Sequence, residues 1–198
     1  MPESGLKIVA CLGNPGAEYA TTRHNVGWWL ADRIAESWNL GRFKRSGPVA
    51  VAEGRIEGVE TRVLKPLSYM NRSGPALVAY LQGVECDVTR DLLVVVDDVA
   101  LEPGRARMRA SGSAGGHNGL KSVESSLRTR DYPRLRIGVG AKPPGVDLAD
   151  WVLSPPTREE REAILAILPA LVDCVGTWVA RGTEVAMNTC NAVGASPS

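Results

Sequence analysis

Two histidines and four cysteines in 198 residues leave little room for metal or disulfide chemistry. Cys11, Cys86, Cys174 and Cys190 are scattered and form no CxxC pair. Neither a disulfide frame nor a zinc site is indicated, and reduced thiols of a cytosolic protein are expected. With only His24 and His117 to draw on, no catalytic metal is expected. The N-terminal residues show no basic segment followed by a long apolar one, so no secretory signal is expected. No uncharged apolar stretch is long enough to span a bilayer. Internal repeats, low-complexity blocks and linkers are lacking too. So is a charge of one sign: 23 basic against 22 acidic residues give a net charge of +1. The length predicts one domain over residues 1–191 with a sizeable core, and a disordered tail over 192–198. A hydrophobic content of 44% with 23% charged residues fits a soluble globular chain.

The charge that is present is unevenly placed. Residues 104–142 hold Arg105, Arg107, Arg109, Lys121, Arg128, Arg130, Arg134, Arg136 and Lys142, opposed only by Glu124 and Asp131. That segment carries +7, which leaves −6 on the remainder. A basic region on an otherwise acidic chain points to a local anionic partner such as a nucleic-acid backbone; the alternative is a solvated face. Residues 41–48 form a second, shorter basic stretch in a turn-rich loop.

Strand and helix patterns alternate. Residues 7–12 read as a buried strand, followed by a helix with Trp28, Trp29, Leu30, Ile34 and Trp38 at helical spacing. Residues 49–56 and 59–64 read as a hairpin around Glu57-Gly58, stopped by Pro66. A helix is predicted over about 75–82. Residues 92–96 form an unalternating apolar run, the mark of a central strand covered on both faces. Residues 105–110 predict a strand with three arginines on one face. A small-residue loop, a helix over about 120–127 and a strand over 135–139 follow. Thr157-x-x-Glu160 is a capping box opening the last long helix, which Pro169 should kink or split. A short helix over 184–191 closes the pattern. This order predicts an α/β fold: a twisted mixed sheet with helices on both faces.

In such sheets ligands gather beyond the carboxyl ends of strands. Four strand ends are expected to deliver polar residues there: Asn14 with His24, Asn71, Asp97, and His117-Asn118. His24 suits proton transfer near neutral pH, and a buried Asp97 would fix its tautomer and orientation. Asp98 should point the other way. No nucleophile motif is present, and Cys11 is expected to be buried and inert. Water activated by His24 is therefore the expected attacking group. Asn14, Asn71 and Asn118 offer neutral donors and acceptors for an amide-like substrate or an oxyanion; turns and helix caps would equally use them. The glycine-rich loop before Asn118 matches neither nucleotide-binding fingerprint, so no cofactor is expected.

The motifs GNPGxxYxxTRHNxG at 13–27, PxxYMNxSG at 66–74, a strand ending in Asp97 before LxPG, GSAGGHNGLKS at 112–122 and RLRIGVG at 134–140 occur in one order. Together they resemble the bacterial-type peptidyl-tRNA hydrolases over nearly the whole chain. The resemblance implies hydrolysis of the ester joining peptide to tRNA by a cytoplasmic, monomeric, metal-independent enzyme that rescues tRNA from stalled translation. It implies His24 as general base and Asp97 as its orienting carboxylate. Asn14 and Asn71 would contact the peptide and scissile ester, with Met70 lining the pocket and Asn118 as a further contact. Tyr19 would lie near the tRNA 3′ end, and Arg109 and Arg136 would grip the 5′ phosphate of the acceptor stem. No membrane partner is implied. Two other readings are a non-catalytic RNA-binding relative of the kind that serves splicing, and a nucleotide-dependent oxidoreductase. Intact His24, Asp97, Asn14 and Asn71 argue against the first, and the missing glycine fingerprint against the second.

Overall fold

The five valines and leucines of residues 92–96 occupy the middle of the sheet. The structure, a computed structural model, describes residues 5–195. Its seven strands are β1 (Lys7–Cys11), β2 (Lys44–Ser46), β3 (Val49–Ile56), β4 (Val59–Pro66), β5 (Leu92–Asp98), β6 (Ala106–Arg109) and β7 (Arg134–Gly138). They run in the order β2-β3-β4-β1-β5-β7-β6. The inner four, β4, β1, β5 and β7, are parallel, while β2, β3 and β6 are antiparallel additions at the two edges. β5, with its apolar run over residues 92–96, therefore sits between two parallel neighbours, as the unalternating pattern requires.

Six α-helices among the described residues cover the sheet: α1 (Val26–Ser37), α2 (Ser73–Leu81), α3 (Asn118–Leu127), α4 (Leu148–Val152), α5 (Arg158–Arg181) and α6 (Thr183–Cys190). One core joins Val9, Val95, Leu135 and Ile137 to α1, α5 and α6, through Leu30, Ile34, Leu171, Val175, Trp178 and Ala186. The other joins Ile8, Ala10, Leu12, Val94 and Val96 to α2 and α3, through Leu77, Leu120 and Val123. Alternate residues of one strand thus feed opposite layers. Helix α3 approaches α2 so closely that a Cβ on Gly74 would overlap the Ser122 carbonyl.

Four local expectations are corrected. Pro169 neither splits nor ends α5, which runs unbroken to Arg181. It lies on the exposed side, where water can satisfy the carbonyl whose helical partner it lacks. β4 runs two residues beyond the expected end at residue 64 and stops at Pro66, which pairs opposite Val49. Cys174 and Cys190 are joined as a disulfide, with Cα atoms 5.4 Å apart. The fold-back of α6 on α5, which spacing could not reveal, brings them together; Cys11 and Cys86 are free. Of the tail, residues 192–195 form hydrogen-bonded turns, and 196–198 lie outside the described residues. Helix α5 is long and apolar enough, by length and composition, to cross a membrane. Its Ile164, Leu168, Leu171, Val175 and Trp178 are buried against the sheet.

Candidate active site

The parallel strands β1, β4 and β5 all end on one side of the sheet, and the polar residues beyond them meet there. A cavity of about 680 Å³ opens at this point, lined by Asn14, Tyr19, His24, Met70, Asn71, Asp97, Asn118 and Arg136. Of the residues singled out in the sequence, Arg109 alone does not line it. It is exposed on the edge strand β6, opposite Arg134.

Asp97 is 1% exposed at the end of β5 and His24 is 7% exposed in a 3-10 turn ahead of α1. His24 Nδ1 lies 2.8 Å from Asp97 Oδ1. The imidazole therefore donates through Nδ1, and Nε2 has no partner among the described residues. Asp98, expected to point the other way, also lines the cavity, because β5 ends there, and its Oδ2 lies 3.7 Å from an Arg136 nitrogen. Arg136 also donates to the Ser113 carbonyl at 2.8 Å.

His117, which the sequence reading placed near the site without a role, is the second imidazole on Asp97. Its Nε2 lies 2.7 Å from the same Oδ1. Its Nδ1 accepts the backbone N–H groups of Gly119 and Leu120 as the N-cap of α3. An Nδ1 that accepts leaves Nε2 to carry the proton, so the cap sets the tautomer that donates to Asp97. Burial by itself would raise the Asp97 carboxyl. The facing imidazoles of His117 and His24 outweigh it and hold the carboxyl well below the usual carboxylate range.

His117 does not arrive from the carboxyl end of the arginine strand, contrary to expectation. β6 is antiparallel to β7 and ends at the far side of the sheet. The loop after it runs back, tied by Arg134 to the carbonyls of Gly112 and Arg130 and by Arg136 to that of Ser113. Glycine at 119 lets α3 start beside the site, because a Cβ there would stand 2.5 Å from Met70 Sδ.

Asn14 is fixed by a residue the sequence reading missed. Asn25 accepts from the Asn14 N–H at 2.9 Å and donates to the Asn14 carbonyl at 3.0 Å. The Asn14 side-chain oxygen accepts the Met70 N–H at 2.7 Å. Its NH₂ has no partner among the described residues, so Asn14 meets the cavity as a donor. Asn71 and Asn118 are exposed at the rim. Tyr19 packs edge-on against Tyr69, with centroids 6.2 Å apart, and Tyr69 is 58% exposed. Cys11 is buried, and burial pushes its thiol up, as an inert core cysteine requires.

Arg23 is the other residue that sequence reasoning passed over. It is 2% exposed, and its guanidinium stacks 3.4 Å from the Trp151 ring centroid. It donates to Ser154 Oγ, the Pro155 carbonyl and Glu160 Oε2 at 2.6, 2.9 and 2.6 Å. The turn that carries His24 is thereby pinned to the junction of α4 and α5. Both the capping box and Arg23 use Glu160 Oε2.

His24, Asp97 and His117 bring their ligand atoms within 4.8 Å of one another and, among the described residues, form the group that could hold a metal ion. Loading them requires His117 to give up the Nε2 proton that its cap enforces. The donor set therefore suits a hydrogen-bonded relay better than a metal centre.

A family model described as peptidyl-tRNA hydrolase matches residues 8–197. The chain belongs to this family. Relatives named peptidyl-tRNA hydrolase include one from Gemmatimonas aurantiaca, 43% identical over 189 residues, covering 93% of this chain and 98% of the relative. One from Symbiobacterium thermophilum is 44% identical at the same coverages. The crystal structure of peptidyl-tRNA hydrolase from Acinetobacter baumannii superposes with a TM-score of 0.90 at 31% identity, covering 97% of this chain and 98% of that one. Peptidyl-tRNA hydrolases thus share its α/β fold from end to end.

Proposed function

We infer that the chain is a hydrolase that cleaves the ester between peptide and tRNA in peptidyl-tRNA, releasing free tRNA. Its membership of the peptidyl-tRNA hydrolase family supports the reaction. The observation that carries the mechanism is the His24–Asp97 contact of 2.8 Å inside a cavity, with the other ring nitrogen unpartnered.

Asp97 holds His24 with Nδ1 protonated and Nε2 free. Nε2 takes a proton from water, and the resulting hydroxide attacks the ester carbonyl carbon. The tetrahedral intermediate expels the ribose oxygen, which takes the proton back from the imidazolium. General-base help of this kind is worth about 10²–10⁴-fold. The Asn14 NH₂ is suited to the developing oxyanion, and such a donor is worth about 10²–10³-fold. Asn71 and Asn118 read the amide of the peptide. A free ammonium in its place would leave those groups mismatched, so unblocked aminoacyl-tRNA is spared. Tyr19 and Met70 border the 3′ end, and Arg109 and Arg136 hold the 5′ phosphate of the acceptor stem. The enzyme acts as a cytoplasmic monomer without a metal and without a membrane partner.

The test is hydrolysis of N-acetyl-aminoacyl-tRNA beside its unblocked form. Cleavage of the first alone is expected, and His24→Ala should abolish it while tRNA binding survives. Equal cleavage of both forms would overturn the specificity reading, and an active His24→Ala enzyme would remove His24 as the base.

A further inference from the structure

At the edge of the sheet farthest from Arg109, the basic loop at 41–48 frames a groove of about 770 Å³ between β2, β3 and α2. Arg42, Lys44, Arg45 and Arg62 line it, with Glu53 as the one acidic side chain and Tyr80 on the wall. Arg62 is already engaged, 3.3 Å from Glu53 and 3.1 Å from the Tyr80 hydroxyl. Arg42, Lys44 and Arg45 are exposed, and among the described residues no carboxylate pairs with them. Six strand spacings separate β2 from β6, about 29 Å along the sheet. The groove is therefore not part of the 5′-phosphate grip.

We propose that this groove is a second RNA-binding surface, which holds the sugar-phosphate backbone of an RNA segment other than the acceptor end in the His24 cleft. Charge complementarity favours that occupant. Outside residues 104–142 the chain carries net negative charge, yet here three unpaired cations converge on one groove. Flexible cations without acidic partners, spaced along an open groove, contact successive phosphates without reading bases. Arg62, held by Glu53 and Tyr80, gives the groove one oriented guanidinium. Lysine and arginine also blunt exposed edge strands. That role needs charge of either sign, whereas phosphate binding needs positive charge.

The experiment measures binding of a short blunt RNA duplex, with no single-stranded 3′ end, by fluorescence anisotropy across salt concentrations. Four proteins are compared: wild type, Arg109→Ala/Arg136→Ala, Arg42→Glu/Lys44→Glu, and all four changes combined. Duplex binding that survives in the Arg109/Arg136 variant is expected to fall at least about ten-fold on adding the groove reversals. The salt slope should lose about two phosphates' worth. Arg42→Gln/Lys44→Gln should show a weaker loss of the same kind, with thermal melting unchanged. At saturating concentration, hydrolysis of an N-acetyl-aminoacyl acceptor minihelix should be unaltered by the reversals. That readout separates this proposal from the esterase reading, which fails only if the minihelix is not cleaved by wild type. Undiminished duplex binding in the groove variants overturns the proposal. So does aggregation of the Gln variant with RNA affinity intact, which assigns the charges to edge protection. Loss of binding to phosphatidylserine vesicles with RNA binding intact assigns the groove to a membrane surface and overturns it equally.

Discussion

Asp97 is shared by two imidazoles, and each contact has a separate consequence. The carboxylate orients His24, so Asp97→Asn is expected to cost about 10²–10⁴-fold in turnover, the scale of a general base. A carboxyl whose native value is depressed stabilises the fold where the unfolded group is already ionised, above about pH 4. That contribution is lost as pH falls through the lowered native value. Urea unfolding of wild type and Asp97→Asn, followed from neutral pH into acid, should show their stability difference shrinking below about pH 4. A difference that grows in acid would contradict the assignment. His117 is tested by two replacements. His117→Ala removes both the cap and the second donor to Asp97, for a stability loss of about 0.5–2 kcal/mol, as when an N-cap is removed. His117→Asn restores a side-chain cap and is expected to recover most of that loss in thermal melting.

At the scale of elements, much of the fold was legible because its signals are local. The apolar run of β5, the Glu57-Gly58 hairpin and the Thr157–Glu160 capping box each announce themselves within a few residues. The convergence of Asn14, His24, Asn71 and Asp97 followed from the alternation of strands with helices and the carboxyl-end rule. What stayed hidden depends on contacts between distant elements. His117 reaches Asp97 only because a loop doubles back from an antiparallel edge strand. Cys174 meets Cys190 only because α6 folds onto α5, and Pro169 is tolerated only because its face is solvated. Arg23 belongs with these: its partners lie 128 to 137 residues away. Arg23→Met leaves Glu160 without its cation and strips the stack from Trp151. Losing one member of a buried pair costs about 3–5 kcal/mol, and Glu160 is 26% exposed. A loss of about 2–4 kcal/mol in chemical unfolding is expected. Glu160→Gln, which can still complete the capping box, should lose less.

For the whole molecule the decisive property is where the charge sits. A net charge of +1 predicts no affinity for RNA, yet +7 is concentrated in residues 104–142. At the sheet edge β6 and β7 pair Arg107 with Arg136 and Arg109 with Arg134. Arg134 is buried and donates both to the loop that carries His117, at the Gly112 carbonyl, and to the turn after α3, at the Arg130 carbonyl. Arg136, by contrast, stands at the cavity rim with Asp98 3.7 Å away. A phosphate and Asp98 therefore compete for the same guanidinium. Each phosphate contact releases a counterion, so Arg109→Ala and Arg136→Ala should each weaken acceptor-stem binding and lower the salt slope by about one. Asp98→Asn should do the opposite. It frees Arg136 from a partly exposed pair worth about 0.2–1 kcal/mol, which corresponds to a tightening of up to a few-fold at low salt. Binding of 5′-phosphorylated and 5′-hydroxyl acceptor stems, compared across salt, separates these effects. The gain from Asp98→Asn should appear only with the phosphate present, and a gain of equal size without it would remove Arg136 from the phosphate site.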